Sequence, residues 1–286
     1  LFGFFGFNTY ARIDGFISPE GDIFLNDPNT TSGMLPSSFF FHQAAEIGLT
    51  PSQFLTYILR TSLWERRQHS LVHNHYPALL QELDERIEQA QAAAGERKRV
   101  AVILGGYSYE RHISVESGRN VFEKLASSEK YEPVPVFLTG EAGRHRLYQL
   151  PINLLLKDNA DDIRDNIRRF EQQGLLEQIR REAKPLTRKY AAADVIFEPR
   201  ALTYDELAAE FDAVFLALHG RPGEDGTVQR ELEARGLPYN GSEPSSAAVT
   251  IHKYETLRRL AAAGFSVTGQ ELLPAADFRS GPEAFL

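Results

Sequence analysis

The sequence predicts an α/β protein, with a doubly wound parallel sheet in the larger part of the chain and an antiparallel hairpin ahead of it. Two observations predict the sheet. The run VAVILGG, residues 100 to 106, is apolar until two glycines stop it, the pattern of a strand buried on both faces that enters a tight loop. Beyond it, short apolar runs alternate with segments of amphipathic helical spacing, the order expected of βαβ units. A third observation sets the hairpin apart. Residues 10 to 17 and 22 to 28 alternate enough to be strands, and Pro19-Glu20-Gly21-Asp22 between them is turn chemistry.

The remaining elements follow in chain order. LFGFFGF at the start reads as core strand or loop, since it lacks the charged region and cleavage site of a signal peptide. After Gly33 a helical stretch runs through FFFHQAAEIG. Thr50-Pro51-Ser52-Gln53 then supplies an N-cap, a proline at the first helical position and a polar third residue for the helix FLTYILRTSLWERR. Residues 65 to 98 read as a linker: a His-rich stretch, then a charged, alanine-rich connecting helix from Ala78 to Ala94, solvated and with a flexible exit at Gly95. VAVILGG leads into the helix ISVESGRNVFEKLAS. YEPVPVFLTG, FDAVFLALHG and LPYNG supply further strands, TVQRELEARG and TIHKYETLRRLAAAG further helices. Residues 150 to 205 form a charged, helix-prone insert in which Ile163, Ile167, Phe170 and Ile179 are spaced to line one face; no catalytic content is visible in it.

Composition bounds the function. A chain of 286 residues with 42% apolar and 24% charged side chains has enough to bury a core. Its net charge of -8 argues against a nucleic-acid surface, despite the local basic run Arg97-Lys98-Arg99, and leaves a small or nucleotide ligand as the better fit. The absence of cysteine excludes a disulfide framework and a thiolate nucleophile, and agrees with a cytoplasmic location. No apolar run approaches the roughly 20 residues of a membrane span.

The chemistry is densest in the hairpin. A two-residue loop at Glu20-Gly21 places Asp14 opposite Asp27 and Arg12 opposite Asn29, with all four side chains on one face. Opposed carboxylates destabilise a hairpin unless a positive charge lies between them. Carboxylate and amide oxygens suit a hard cation such as magnesium, which leaves room for phosphate oxygens, and Arg12 would add a fixed fork for those phosphates. A surface hairpin with a salt bridge remains the plain alternative. Gly33, among small hydroxyl residues, lets backbone amides approach an oxyanion. A zinc site at His69, His73 and His75 is the weaker idea, because no fourth ligand lies nearby in sequence.

ARID, then DPNTTSGM and PSS, resembles the C-terminal end of the D-alanine-D-alanine ligases, members of the ATP-grasp family. The resemblance implies that Asp14, Asp27 and Asn29 hold magnesium (or manganese) on ATP, that Arg12 stabilises the transferred phosphoryl group, and that Gly33 and Ser38 belong to the substrate wall. The family usually has Glu where this chain has Asp27.

LGGYSYERHISVESG, residues 104 to 118, resembles the N-terminal signature of the same ligases, with Gly105, Gly106, Ser108, Glu110, Arg111 and Ser114 at the matching positions. Physically, a strand-to-helix loop offers amides and a positive dipole to an anion, and Glu110 can hold an ammonium. LALHGRPGEDGTVQRELEARGLPYNGS, residues 216 to 242, is similar to the family's His-Gly-x-x-Gly-Glu-Asp-Gly loop. By that likeness His219 and Glu110 help place the first D-alanine, while Glu224, Asp225 and Gln229 support the loop. SSAAVTIHKYETLRRLAAAGF resembles the hinge into an ATP-grasp domain, with Lys253 at a nucleotide-contacting position and His252 where the family usually has Asp.

The order implied is family tail before family head: residues 1 to 64 as the C-terminal part of one ATP-grasp domain, 65 to 98 as linker, 99 to 246 as the N-terminal substrate domain of a second module, and 247 to 286 as the start of its ATP-grasp domain. This is the order of a piece cut from a tandem protein. The resemblance further implies ATP-dependent joining of two D-alanines through an acyl phosphate, for peptidoglycan precursor synthesis, with the piece inactive alone and a homodimer of the intact protein compatible. A ligase for D-lactate or D-serine, and a lapsed ligase-like binding module, are the alternatives.

Overall fold

The computed structural model describes residues 1–34, 38–67, 75–156, 159–170, 174–191 and 195–273. Strands β1 (Arg12–Ile17) and β2 (Ile23–Asn29) form a two-stranded antiparallel sheet. Its turn is longer than the sequence predicts. The Ser18 amide donates to the Asp22 carbonyl at 2.9 Å, the Ser18 hydroxyl accepts from the amides of Glu20 and Asp22, and Gly21 takes φ 93°. That turn pairs Ile17 with Ile23, one residue off the expected register. A bulge between Asp14 and Gly15 then leaves Asn26 unpaired and restores Asp14 opposite Asp27 and Arg12 opposite Asn29.

Three helices follow: α1 (Phe39–Glu46), α2 (Pro51–Arg66) and α3 (Tyr76–Ala92). The expected cap of α2 is present, with the Thr50 amide donating to Gln53 Oε1 at 2.9 Å and the Gln53 amide to Thr50 Oγ1 at 3.3 Å. Charge patterning makes α3 a solvated connector, but the structure buries its Leu80 and Ile87. The spacing of seven puts both on one stripe, which the surrounding Glu and Gln conceal in a count of charges.

The main sheet has the order β6-β5-β4-β3-β7. Strands β3 (Lys98–Gly105), β4 (Tyr131–Thr139) and β7 (Ala213–Leu216) are parallel, and α4 (Arg111–Ala126) crosses from β3 to β4. Strands β5 (Arg146–Gln149) and β6 (Arg200–Leu202) are antiparallel additions at one edge, so the sheet is mixed rather than wholly parallel. The cause is loop length: the six residues between β4 and β5 suffice for a hairpin return and not for a helical crossover. LPYNG contributes only a single bridge, Val214 with Tyr239.

The insert supplies α5 (Ile152–Leu155), α6 (Ala160–Arg168) and α7 (Gly174–Tyr190). Ile163 is buried with Val115, Phe122 and Leu154 against α4, and Ile167 packs beside them, while Ile179 lies exposed on α7. The expected single apolar face therefore ends with α6, because α7 begins a new helix with its own facing. Helix α7 closes a second core instead: Phe41, Ala44, Leu49, Phe54 and Ile87 pack with Leu156 and Tyr190. Arg180 reaches Glu46 at 3.0 Å, and Asp84 is held between Arg60 at 2.6 Å and Lys189 at 2.9 Å. Helices α8 (Tyr204–Glu210), α9 (Thr227–Glu233), α10 (Pro244–Thr250) and α11 (Lys253–Ala262) complete the described chain. Among the described residues no helix is long and apolar enough to cross a membrane.

Candidate functional site

Two groups of polar side chains stand apart in the fold. The first is the hairpin face. Arg12 lies 3.0 Å from Asp14 and 3.7 Å from Asp27, so its guanidinium occupies the space between the opposed carboxylates. All three side chains are about half exposed, at 48%, 50% and 56%. Asn29 donates from its Nδ2 to the Asp27 carbonyl at 3.3 Å, which turns its amide oxygen away from that contact. Two carboxylates and an amide oxygen on one exposed face form an oxygen donor set suited to a hard cation that keeps other ligands.

Among the described residues there is no group of three or more His, Cys, Asp or Glu placed to hold a metal. His69 and His73, the pair of the zinc idea, lie outside the described residues. Ser38 is the N-cap of α1 in extended conformation, without a side-chain cap bond. Gly33 stands in open space, where a Cβ would meet nothing, so nothing steric requires glycine there. Lys253 is exposed in the first turn of α11, where a cation gains nothing from the helix dipole.

The second group gathers at the carboxyl ends of β3 and β7, where open α/β sheets bind ligands. Positions 110, 114 and 117 fall on one face at the amino end of α4, the i, i+4, i+7 spacing of a helix. That face meets His219, just beyond β7. The His219 amide donates to Ser114 Oγ at 2.8 Å, the Ser108 hydroxyl donates to the His219 carbonyl at 2.9 Å, and His219 Nε2 pairs with Ser117 Oγ at 3.0 Å. Gly220 has φ 66°, and a Cβ there would lie 2.6 Å from Ser108 Oγ and 3.0 Å from Glu110 Oε2. Glycine is thus what lets the loop close onto Ser108 and lets the Glu110 carboxylate lie against position 220.

Of the three side chains expected to support the loop, two bond within it and Glu224 does not. Asp225 accepts from the Thr227 amide at 2.9 Å, and buried Gln229 donates to the Gly223 carbonyl at 2.6 Å, so both brace the turn. Glu224 instead faces the histidine, 3.8 Å from Nδ1. Arg111 makes a bidentate pair with Asp161, at 3.0 and 2.8 Å, and donates to the Ser108 carbonyl at 3.1 Å. The hydrogen bond from Arg111 holds the Asp161 carboxyl below its ordinary range. Helix α6 of the insert, which shows no catalytic content in the sequence, therefore anchors the loop that carries Ser108 and Glu110.

Sequence reasoning missed Ser117. Its signal was available, because continuing the spacing from Glu110 and Ser114 by three residues reaches it. The asparagine, carboxylates and arginine of the hairpin make their ion pairs and side-chain hydrogen bonds within the hairpin, so among the described residues the two polar groups are separate.

A helix face, a clamped strand-end histidine and a glycine-rich loop meet at the carboxyl edge of the parallel strands, where α/β domains bind ligands. The D-ala D-ala ligase N-terminus family matches residues 99–242, and the D-ala D-ala ligase C-terminus family matches residues 1–60. The chain belongs to the D-ala D-ala ligase family. It is 31% identical over 189 residues to the D-alanine--D-alanine ligase of Chlorobium chlorochromatii (strain CaD3), which covers 66% of this chain and 48% of that protein. It is 44% identical over 90 residues to the D-alanine--D-alanine ligase of Bordetella petrii, covering 31% of this chain and 28% of that protein. Among solved structures, the VanG D-Ala:D-Ser ligase from Enterococcus faecalis is 22% identical with a TM-score of 0.41, covering 66% of this chain and 48% of that one. The chain spans about half the length of the first of these relatives.

Proposed function

We propose that the chain belongs to an ATP-dependent ligase that joins two D-alanines for peptidoglycan precursor synthesis, and that its two polar groups serve two different ligase modules. The observation that carries this reading is the clasp of His219 by Ser108 and Ser114 of the β3–α4 segment, which also carries Glu110, together with the order of the family matches, C-terminus first and N-terminus second. In the intact tandem protein each group would work with parts of its own module.

In the hairpin, Asp14, Asp27 and the amide oxygen of Asn29 would hold magnesium, whose chemistry is neutralisation of the ATP phosphates. Arg12 supplies a fixed positive fork for the transferred phosphoryl group. In the second group, Glu110 pairs with the ammonium of the first D-alanine and His219 faces its carboxylate end; Ser114 holds the histidine backbone. Lys253 contacts the nucleotide. ATP phosphorylates the carboxylate of one D-alanine, and the amine of the second displaces phosphate, so positioning and charge neutralisation supply the catalysis. The piece by itself forms no ADP from ATP and D-alanine.

The shorter Asp27 in place of a glutamate favours a second reading, in which the hairpin belongs to a lapsed module that binds without turnover. The test is D-alanine-dependent phosphate release by the intact protein, with the product weighed, in wild type, Asp14→Ala and Glu110→Ala. Partial loss in each variant supports two working ligases. No change in Asp14→Ala assigns catalysis to the second module alone, and a product heavier than the alanine dipeptide identifies a different second substrate.

A further inference from the structure

We infer that Ser117 is a positioning residue whose hydroxyl fixes the ring of His219, so that the imidazole presents its Nδ1 edge to the carboxylate of the bound amino acid. The inference rests on the D-alanine reading of this site. Ser114 and Ser108 hold the backbone amide and carbonyl of His219, which fixes its Cα but leaves the ring free to turn about its side-chain torsions. Ser117 removes that freedom. Its Oγ lies 3.0 Å from Nε2, within hydrogen-bond range, whereas Glu224 stands 3.8 Å from Nδ1, beyond it.

The tautomer follows from these neighbours. A serine hydroxyl can donate or accept, but a carboxylate on the Nδ1 side favours a proton there, so Ser117 donates to Nε2. The histidine is left with an Nδ1–H, a donor suited to an anionic group, on a side chain that is 41% exposed. Ser117, His219 and Glu224 also stand in the order of a hydrolase triad. That reading fails on two counts: Glu224 is outside hydrogen-bond reach of Nδ1, and Ser117 lies within α4, whose amides are spent on helix bonds and cannot stabilise an oxyanion.

The test reads the ring directly. Nitrogen-15 spectra of the full chain, with the His219 signals assigned from His219→Asn, should show Nε2 leave its hydrogen-bonded position in Ser117→Ala and return in Ser117→Thr. In the intact protein, Ser117→Ala should raise the KM for the first D-alanine about 3- to 10-fold, the loss expected for one such bond, with kcat nearly unchanged and with recovery in Ser117→Thr. Ring nitrogens unmoved in Ser117→Ala overturn the inference by themselves. Ring nitrogens that move while the D-alanine KM stays constant in both Ser117→Ala and His219→Ala overturn the D-alanine reading of the site instead.

Discussion

Replacing Gly220 by alanine isolates how tightly the loop after β7 is closed. Two costs add. A residue with a Cβ at φ 66° pays about 1–2 kcal/mol for left-handed backbone. The new methyl would also sit 2.6 Å from Ser108 Oγ and 2.7 Å from Ser108 Cβ. Ser108 cannot swing aside freely, because its hydroxyl holds both the His219 carbonyl and the Glu110 amide. Overpacking of this kind costs about 1–3 kcal/mol, for a total of about 2–5 kcal/mol. Gly236 provides the control: its φ is 65°, yet a Cβ there meets nothing. Thermal unfolding of both alanine variants should place Gly220→Ala roughly 5–15 °C below wild type and Gly236→Ala roughly 2–6 °C below it. Two variants that melt together would show that the closure onto Ser108 has no energetic weight, and the argument for the clasp would fail with it.

Two further outcomes are expected from pH. The Asp84 carboxyl is held below its ordinary value chiefly by the hydrogen bond from Arg60. Its contribution is complete above the ordinary carboxylate range and is lost as pH falls through the lowered value; Asp84→Asn should cost about 1–3 kcal/mol at pH 7 and progressively less as pH falls below the ordinary carboxylate range, measured by denaturant unfolding. Glu123 has the opposite sign: burial raises its carboxyl to about 7, and one of its oxygens is buried without a hydrogen-bond partner. The folded state therefore holds its proton more tightly, and stability falls as pH climbs from the ordinary glutamate value toward 7. Glu123→Gln should be more stable than wild type by about 1–2 kcal/mol at pH 8 and show no gain at pH 4, and equal gains at both would refute the burial argument.

Local chemistry made much of this legible in the sequence. The apolar run ending at Gly105-Gly106, the capping box at Thr50 and Gln53, and the face shared by Asp14, Asp27, Arg12 and Asn29 were all readable from residue type and spacing. The hairpin face came out right by compensation, because the one-residue offset of a longer turn is cancelled by the bulge at Asn26. What could not be read was set by distance along the chain. Asp161 belongs to Arg111 fifty residues earlier, and Asp84 to both Arg60 and Lys189; no local pattern marks such pairs. The antiparallel strand at Arg146–Gln149 is short and half polar, so its identity came only from pairing with β4.

The packing of α3 and α7 changes what counts as a boundary. Gly95 stands exposed between the two family matches and looks like the natural place to divide the chain. Yet Ile87 and Phe54 on one side share a core with Leu156 and Tyr190 on the other, and the Asp84 carboxylate is shared by cations from both sides. A single cleavage at Gly95 would therefore yield two polypeptides that travel as one particle, and the seam read from the families is one of ancestry rather than of mechanics.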